Sequence, residues 1–160
     1  MKNGLYLSLK MICILLTVGM TSCNSSKEVV QQPEIEKIDQ YAFDFMRSSQ
    51  LSVVLDQAAK EGKLVFVDVY TSWCLPCKMM DEDVFTHKPT ADHINKDFIS
   101  YKVNAEEEYG LNIAFQYNIS SYPTLLFLDP TGNVLERKSG AVYHRELLEM
   151  ADRAKVKYAM

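Results

Sequence analysis

Apolar residues along this chain of 160 residues fall into blocks whose period changes from one block to the next. Residues 11–20 are almost unbroken apolar sequence. Leu51, Val54, Leu55 and Ala58 recur at helical spacing; Ser52 stands where a cap would start that helix, and Gly62 stops it. Residues 64–70, Leu-Val-Phe-Val-Asp-Val-Tyr, are rich in β-branched side chains and read as a central strand buried on both faces, interrupted by Asp68. Pro76 suits the first turn of a helix running on to Val84, and residues 90–97 read as a second short helix. Residues 98–104 read as a strand. Residues 109–117 read as a helix with Leu111, Ala114 and Phe115 on its apolar side. Residues 124–128 and 134–139 are strands joined by Asp129-Pro130-Thr131-Gly132-Asn133, a turn sequence. Residues 143–158 form an amphipathic helix with Leu147, Leu148, Ala151 and Ala154 inward. Across residues 34–50 no single period accounts for Ile35, Ile38, Phe43, Phe45 and Met46, and a helix and a first strand both fit.

The order is βα units, then a hairpin, then a helix. It predicts an α/β domain with a mixed central sheet and helices on both faces.

Lys2 and Lys10 precede the apolar run at 11–20, which ends in Thr21, Ser22 and Cys23. The run is shorter than the about 20 residues a membrane-spanning helix takes, and fits the core of a secretory signal. Met20-Thr21-Ser22-Cys23 resembles a bacterial lipobox. That resemblance makes residues 1–22 a lipoprotein signal peptide and Cys23 the lipidated first residue of the mature chain. Residues 23–34 become a flexible tether, and residues 35–160 the folded domain. An ordinary secretory signal cleaved near Ser22, with Cys23 unmodified, is the alternative.

Lys and Arg number 17 against 21 Asp and Glu. Cleavage before Cys23 removes two lysines and no acid, so the mature chain is more acidic still. Nucleic-acid binding, which needs a basic footprint, is excluded. A domain of this size buries a core without disulfide staples, so its cysteines are read for chemistry. Cys13 lies in the signal and Cys23 at the lipobox, which leaves Cys74 and Cys77 for the domain.

Cys74-Leu75-Pro76-Cys77 places two sulfurs one turn apart at the start of a helix. Unpaired N–H groups and the helix dipole there stabilise a thiolate on Cys74. A thiol with pKa near 8.5 is mostly protonated at neutral pH, and lowering it by one to two units takes about 1.4–2.8 kcal/mol. A helix end supplies up to about 2 kcal/mol. Cys74 is therefore expected to attack a substrate disulfide, and the more shielded Cys77 to resolve the mixed disulfide. His87 and His93 follow, so a zinc knuckle has to be weighed. The gap from Cys77 to His87 is short for a zinc finger, and Pro76 suits a helix start better than a metal loop. His87, His93 and His144 are expected at the surface, and no metal or other cofactor is assigned.

The segment from Val67 through Trp73-Cys74-Leu75-Pro76-Cys77-Lys78 resembles the active-site segment of the thioredoxin superfamily, as does Ser121-Tyr122-Pro123-Thr124 before an apolar strand. The resemblance covers residues 51–155. It is nearest to thioredoxin-like lipoproteins and the C-terminal domain of DsbD, with Asp81-Glu82-Asp83-Val84-Phe85 and Val103-Asn104-Ala105-Glu106 in support. It implies a thioredoxin fold. It further implies that Trp73 flanks the nucleophile, that Pro123 is a cis-proline beside the disulfide, and that Asp68 is a buried carboxylate behind the resolving cysteine. Pro123 would remove a donor next to Cys74 and leave the Tyr122 backbone free to pair with an extended substrate; a trans-proline opening a strand is the alternative. Asp68 in an apolar strand is costly unless paired or protonated, and with a raised pKa it would accept the Cys77 proton. An Asp bonded to backbone, or facing Lys78, is the alternative. The Glu106-Glu107-Glu108 run is read as a solvated face.

Three functions follow from these residues. The first is a disulfide reductase of the bacterial cell envelope, lipid-anchored and facing the periplasm. It would pass electrons from a membrane donor to protein thiol and disulfide substrates. The second is a disulfide-forming oxidase, separated from the first by reduction potential. The third is a non-enzymatic lipoprotein holding copper or haem, and no Met or His at helical spacing beside the motif completes such a site.

Overall fold

A computed structural model describes residues 36–37, 40–48 and 50–160. The expected signal peptide at 1–22, the expected tether at 23–34 and Cys23 lie outside the described residues. The ambiguous stretch resolves into two short strands, β1 (Glu36–Lys37) and β2 (Phe45–Arg47), too brief for any period to show. Then follow α1 (Leu51–Glu61), β3 (Leu64–Tyr70), α2 (Leu75–Met79), a π-helical turn (Met80–Val84), α3 (Lys88–Asp97) and β4 (Phe98–Asn104). The chain continues through α4 (Glu108–Gln116), β5 (Thr124–Leu128), β6 (Val134–Ser139) and α5 (His144–Tyr158). The six strands form one mixed sheet in the order β1-β2-β4-β3-β5-β6, with β3 parallel to β4 and antiparallel to β5. This is the α/β thioredoxin fold the sequence implied.

Strand alternation divides the core between the two faces of the sheet. Leu64, Phe66, Phe98, Leu125 and Phe127 pack against the π turn, α3 and α5 through Met80, Phe85, Ile94, Leu147 and Met150. Val65, Val67, Val69, Ile99, Tyr101 and Leu126 pack against α1 and α4 through Val54, Ala58, Ile113 and Ala114. Each fully buried side chain of this kind contributes about 1.5–3 kcal/mol of transfer free energy. Asp68 and Lys102 follow the alternation onto the first face, toward the helix that carries the cysteines.

Two sequence expectations need correction. Ser52 does not cap α1: the cap position is Gln50, whose N–H is taken by the Ser48 hydroxyl at 3.1 Å. In α4, Leu111 and Phe115 are exposed, and Gly110, Ile113 and Ala114 face the sheet. Gly110 explains the rotation, because a Cβ there would lie 1.9 Å from the Asn104 carbonyl oxygen. The backbone of α4 sits directly on the end of β4, a seat open to glycine alone.

Candidate active site

β3 ends at Tyr70, and four residues later Cys74 opens α2 as its N-cap. Cys74 and Cys77 are joined by a disulfide. The Cys77 N–H donates to the Cys74 sulfur at 3.2 Å, so the group that would otherwise be an orphan donor of the first turn is aimed at that atom. Both cysteines are buried in this oxidised state, to nearly the same extent. The pairing consumes both sulfurs of the motif. His87 stacks on His144 with ring centroids 4.0 Å apart, and both rings bond the buried Thr90 hydroxyl; His93 turns to Asp152. The histidines thus have other partners, and among the described residues no group of three metal-ligating side chains converges.

Trp73 is 68% exposed beside Cys74, and Leu75 within the motif is equally exposed. The Tyr122–Pro123 bond is cis. Tyr122 meets Trp73 edge-on, with centroids 5.9 Å apart. The three residues expected to line a substrate groove are Trp73, Tyr122 and Pro123. The ring contact joins the first two, and Pro123 is next in the chain.

Asp68 is 1% exposed. Its Oδ2 pairs with the Lys102 ammonium, and Lys102 also reaches Asp81 of the π turn at 2.8 Å. The partner is therefore Lys102 and not Lys78. The Tyr70 ring lies under the ammonium at 4.2 Å from its centroid and Phe85 at 5.1 Å, an aromatic wall that favours the cation. Burial raises the Asp68 pKa above the ordinary carboxylate range, and Lys102 pulls against it. Burial alone would lower Lys102, but the charges of Asp68 and Asp81 more than reverse this and hold it above its ordinary value. Asp68 Oδ1 has no hydrogen-bond partner among the described residues. One carboxylate oxygen is neutralised and the other is left open.

Sequence reasoning missed Lys102, Asp81 and Glu106. Glu106 is not an idle member of an acidic run: its carboxylate accepts the Ser72 N–H, fixing the loop just before Trp73, and hydrogen bonding from the Ser72 side chain, then from its N–H, holds the Glu106 pKa below the usual range. Lys102 had a readable signal, a lone cation in one apolar strand matching a lone anion in another.

A family model described as thioredoxin-like matches residues 44–130. The chain belongs to the thioredoxin-like family. It is 30% identical over 101 residues to the thiol:disulfide interchange protein DsbD of Pseudomonas fluorescens, covering 61% of this chain and 17% of that protein. The chain thus spans a small part of the DsbD relative it matches. It is 32% identical to the thioredoxin of Mycoplasmoides gallisepticum, over 60% of this thioredoxin-like chain and 89% of that one. A solution structure from Bacteroides thetaiotaomicron, provisionally named a disulphide-isomerase, aligns with TM-score 0.63 and 35% identity over 72% of this chain and 94% of that one. The Cys74–Cys77 disulfide lies within the segment that the family model matches.

Proposed function

We propose that this chain reduces disulfides of exported proteins in the bacterial cell envelope. The observation that carries the reading is the Cys74–Cys77 disulfide at the start of α2, with the Cys77 N–H directed onto Cys74. In the reduced protein that donor and the helix end favour Cys74 as the thiolate. The thiolate attacks one sulfur of a substrate disulfide; that S–S bond breaks, a mixed disulfide forms and the first substrate thiolate leaves. Cys77 gives its proton to Asp68 and attacks the Cys74 sulfur, which breaks the mixed disulfide, frees the second thiolate and closes the Cys74–Cys77 bond. Two electrons pass to the substrate, and a membrane electron donor restores the dithiol. Asp68 suits the acceptor role because its Oδ1 is open and its burial favours the protonated form.

Trp73 and Leu75 supply an exposed apolar platform with the half-buried Tyr122 beside it, and Pro123, with no N–H, leaves the Tyr122 backbone to pair with an extended substrate segment. The likeness to DsbD supports a reducing, periplasm-facing role, and the lipobox-like Cys23 supports attachment to a membrane through lipid. No helix among the described residues is long and apolar enough to cross a membrane.

The purified protein is expected to catalyse reduction of insulin disulfides by dithiothreitol, and Cys74→Ser to abolish it. A wild-type rate no faster than that of the variant rejects catalysis. A reduction potential below about −200 mV supports the reductase, and one near −120 mV reassigns the protein as an oxidase.

A further inference from the structure

The loop between α4 and β5 carries Tyr122 and Pro123, and the edge strand β6 and the residue just after it hold it at both ends. At its start, the Arg137 guanidinium donates to two successive carbonyls, those of Tyr117 and, at 2.9 Å, Asn118. Tyr117 is the C-cap of α4, and Asn118 turns the chain with φ of 51°. Carbonyls at such a helix end lack intrahelical donors, and a planar guanidinium fits two of them at once where an ammonium fits one. The Tyr117 hydroxyl donates to the Gly132 carbonyl at 3.0 Å, pinning the same turn to the β5–β6 hairpin. At the far end, the Gly140 N–H donates to the Pro123 carbonyl at 2.7 Å, and the Thr124 hydroxyl to the Ser121 carbonyl at 2.7 Å. The segment between these anchors presents Tyr122 to Trp73.

We infer that Arg137 is a positioning residue for protein substrates: it fixes the start of the loop that offers the Tyr122 backbone and the Tyr122–Trp73 platform to an extended polypeptide. The inference rests on the oxidoreductase reading above. Arg137 has no contact with Cys74, Cys77, Asp68 or Lys102, so the electron and proton chemistry does not pass through it. Freeing one end of the loop loosens recognition of a polypeptide that must pair along it. A small disulfide needs the Cys74 sulfur alone and does not sense the loop.

The test compares the full-length protein with Arg137→Met and Arg137→Lys, using insulin as the protein disulfide and 5,5′-dithiobis(2-nitrobenzoate) as the small one. In Arg137→Met the KM for insulin should rise at least about threefold, with kcat, the rate with the small disulfide and the reduction potential unchanged. Arg137→Lys, which keeps the charge and one contact, should fall between, and carries the comparison by itself should the Met variant fail to fold. An unchanged KM in a protein otherwise active on both disulfides overturns the inference alone. So does an equal loss with both disulfides. A wild-type protein inert toward both overturns the oxidoreductase reading, and the inference with it.

Discussion

Asp68 and Lys102 are register partners across the β3–β4 ladder, and their side chains pair in a site from which water is almost wholly excluded. The pair is asymmetric. Lys102 divides its charge between Asp68 and Asp81, so Asp68 receives part of a counter-ion and the full cost of burial. That imbalance is what makes Asp68 the group most ready to take up a proton.

Asp68→Asn should therefore slow disulfide exchange by about tenfold or more at neutral pH, because an amide cannot accept the Cys77 proton. Stopped-flow measurement of mixed-disulfide resolution reads the step directly. A rate equal to wild type removes Asp68 from the reaction.

The same variant should change how stability depends on pH. An unfolded Asp titrates near 3.9, and folded Asp68 holds its proton to higher pH. Its contribution to stability is full below pH ~3.9 and is lost as pH rises through the raised folded value. Relative to the oxidised wild type, oxidised Asp68→Asn should gain stability as pH increases from about 4. Urea titrations of both proteins across that range test the sign, and a constant difference contradicts it.

Lys102→Met should destabilise the protein by about 3 kcal/mol or more, since it leaves two carboxylates without their shared cation, one fully and one largely buried. The loss should shrink in acid, where the buried Asp68, its pKa raised by burial, takes up a proton and no longer needs the cation. Chemical denaturation at pH 7 and pH 4 gives the comparison.

Gly110→Ala should cost about 2–3 kcal/mol although alanine is the better helix former. The added methyl would meet the backbone of Asn104, and backbone cannot swing aside as a side-chain end can. Thermal unfolding provides the measurement, and a neutral or stabilising result would mean that α4 shifts freely on β4.

If Cys23 carries the lipid, Cys23→Ala expressed in a bacterial host should lose incorporation of a labelled fatty acid and pass from the membrane to the soluble envelope fraction. Continued labelling of the variant rejects Cys23 as the attachment point.

The long elements were legible because their patterns are long. β3 shows its buried run, α5 its stripe and the hairpin its Asp-Pro-Thr-Gly-Asn turn, in which the Asp129 carboxylate gathers the Thr131 and Asn133 N–H groups. β1 and β2 were not legible, since two or three residues display no period. The apolar face of α4 was misjudged because large side chains were weighted over Gly110, and contact with β4 was decided by the smallest residue present. Within the site, the cysteines and Pro123 stood out through their local motif. Lys102 and Asp81 did not, because their role comes from register across strands and from a helical turn packed above them, relations between segments far apart in the chain.

Trp73 is the sole tryptophan of the chain, set next to one sulfur of a disulfide and against one tyrosine ring. Disulfides quench the emission of an adjacent indole, so opening the bond brightens this single indole with no background from another tryptophan. The protein thereby carries its own optical gauge of oxidation state, and its turnover can be followed in real time without a dye.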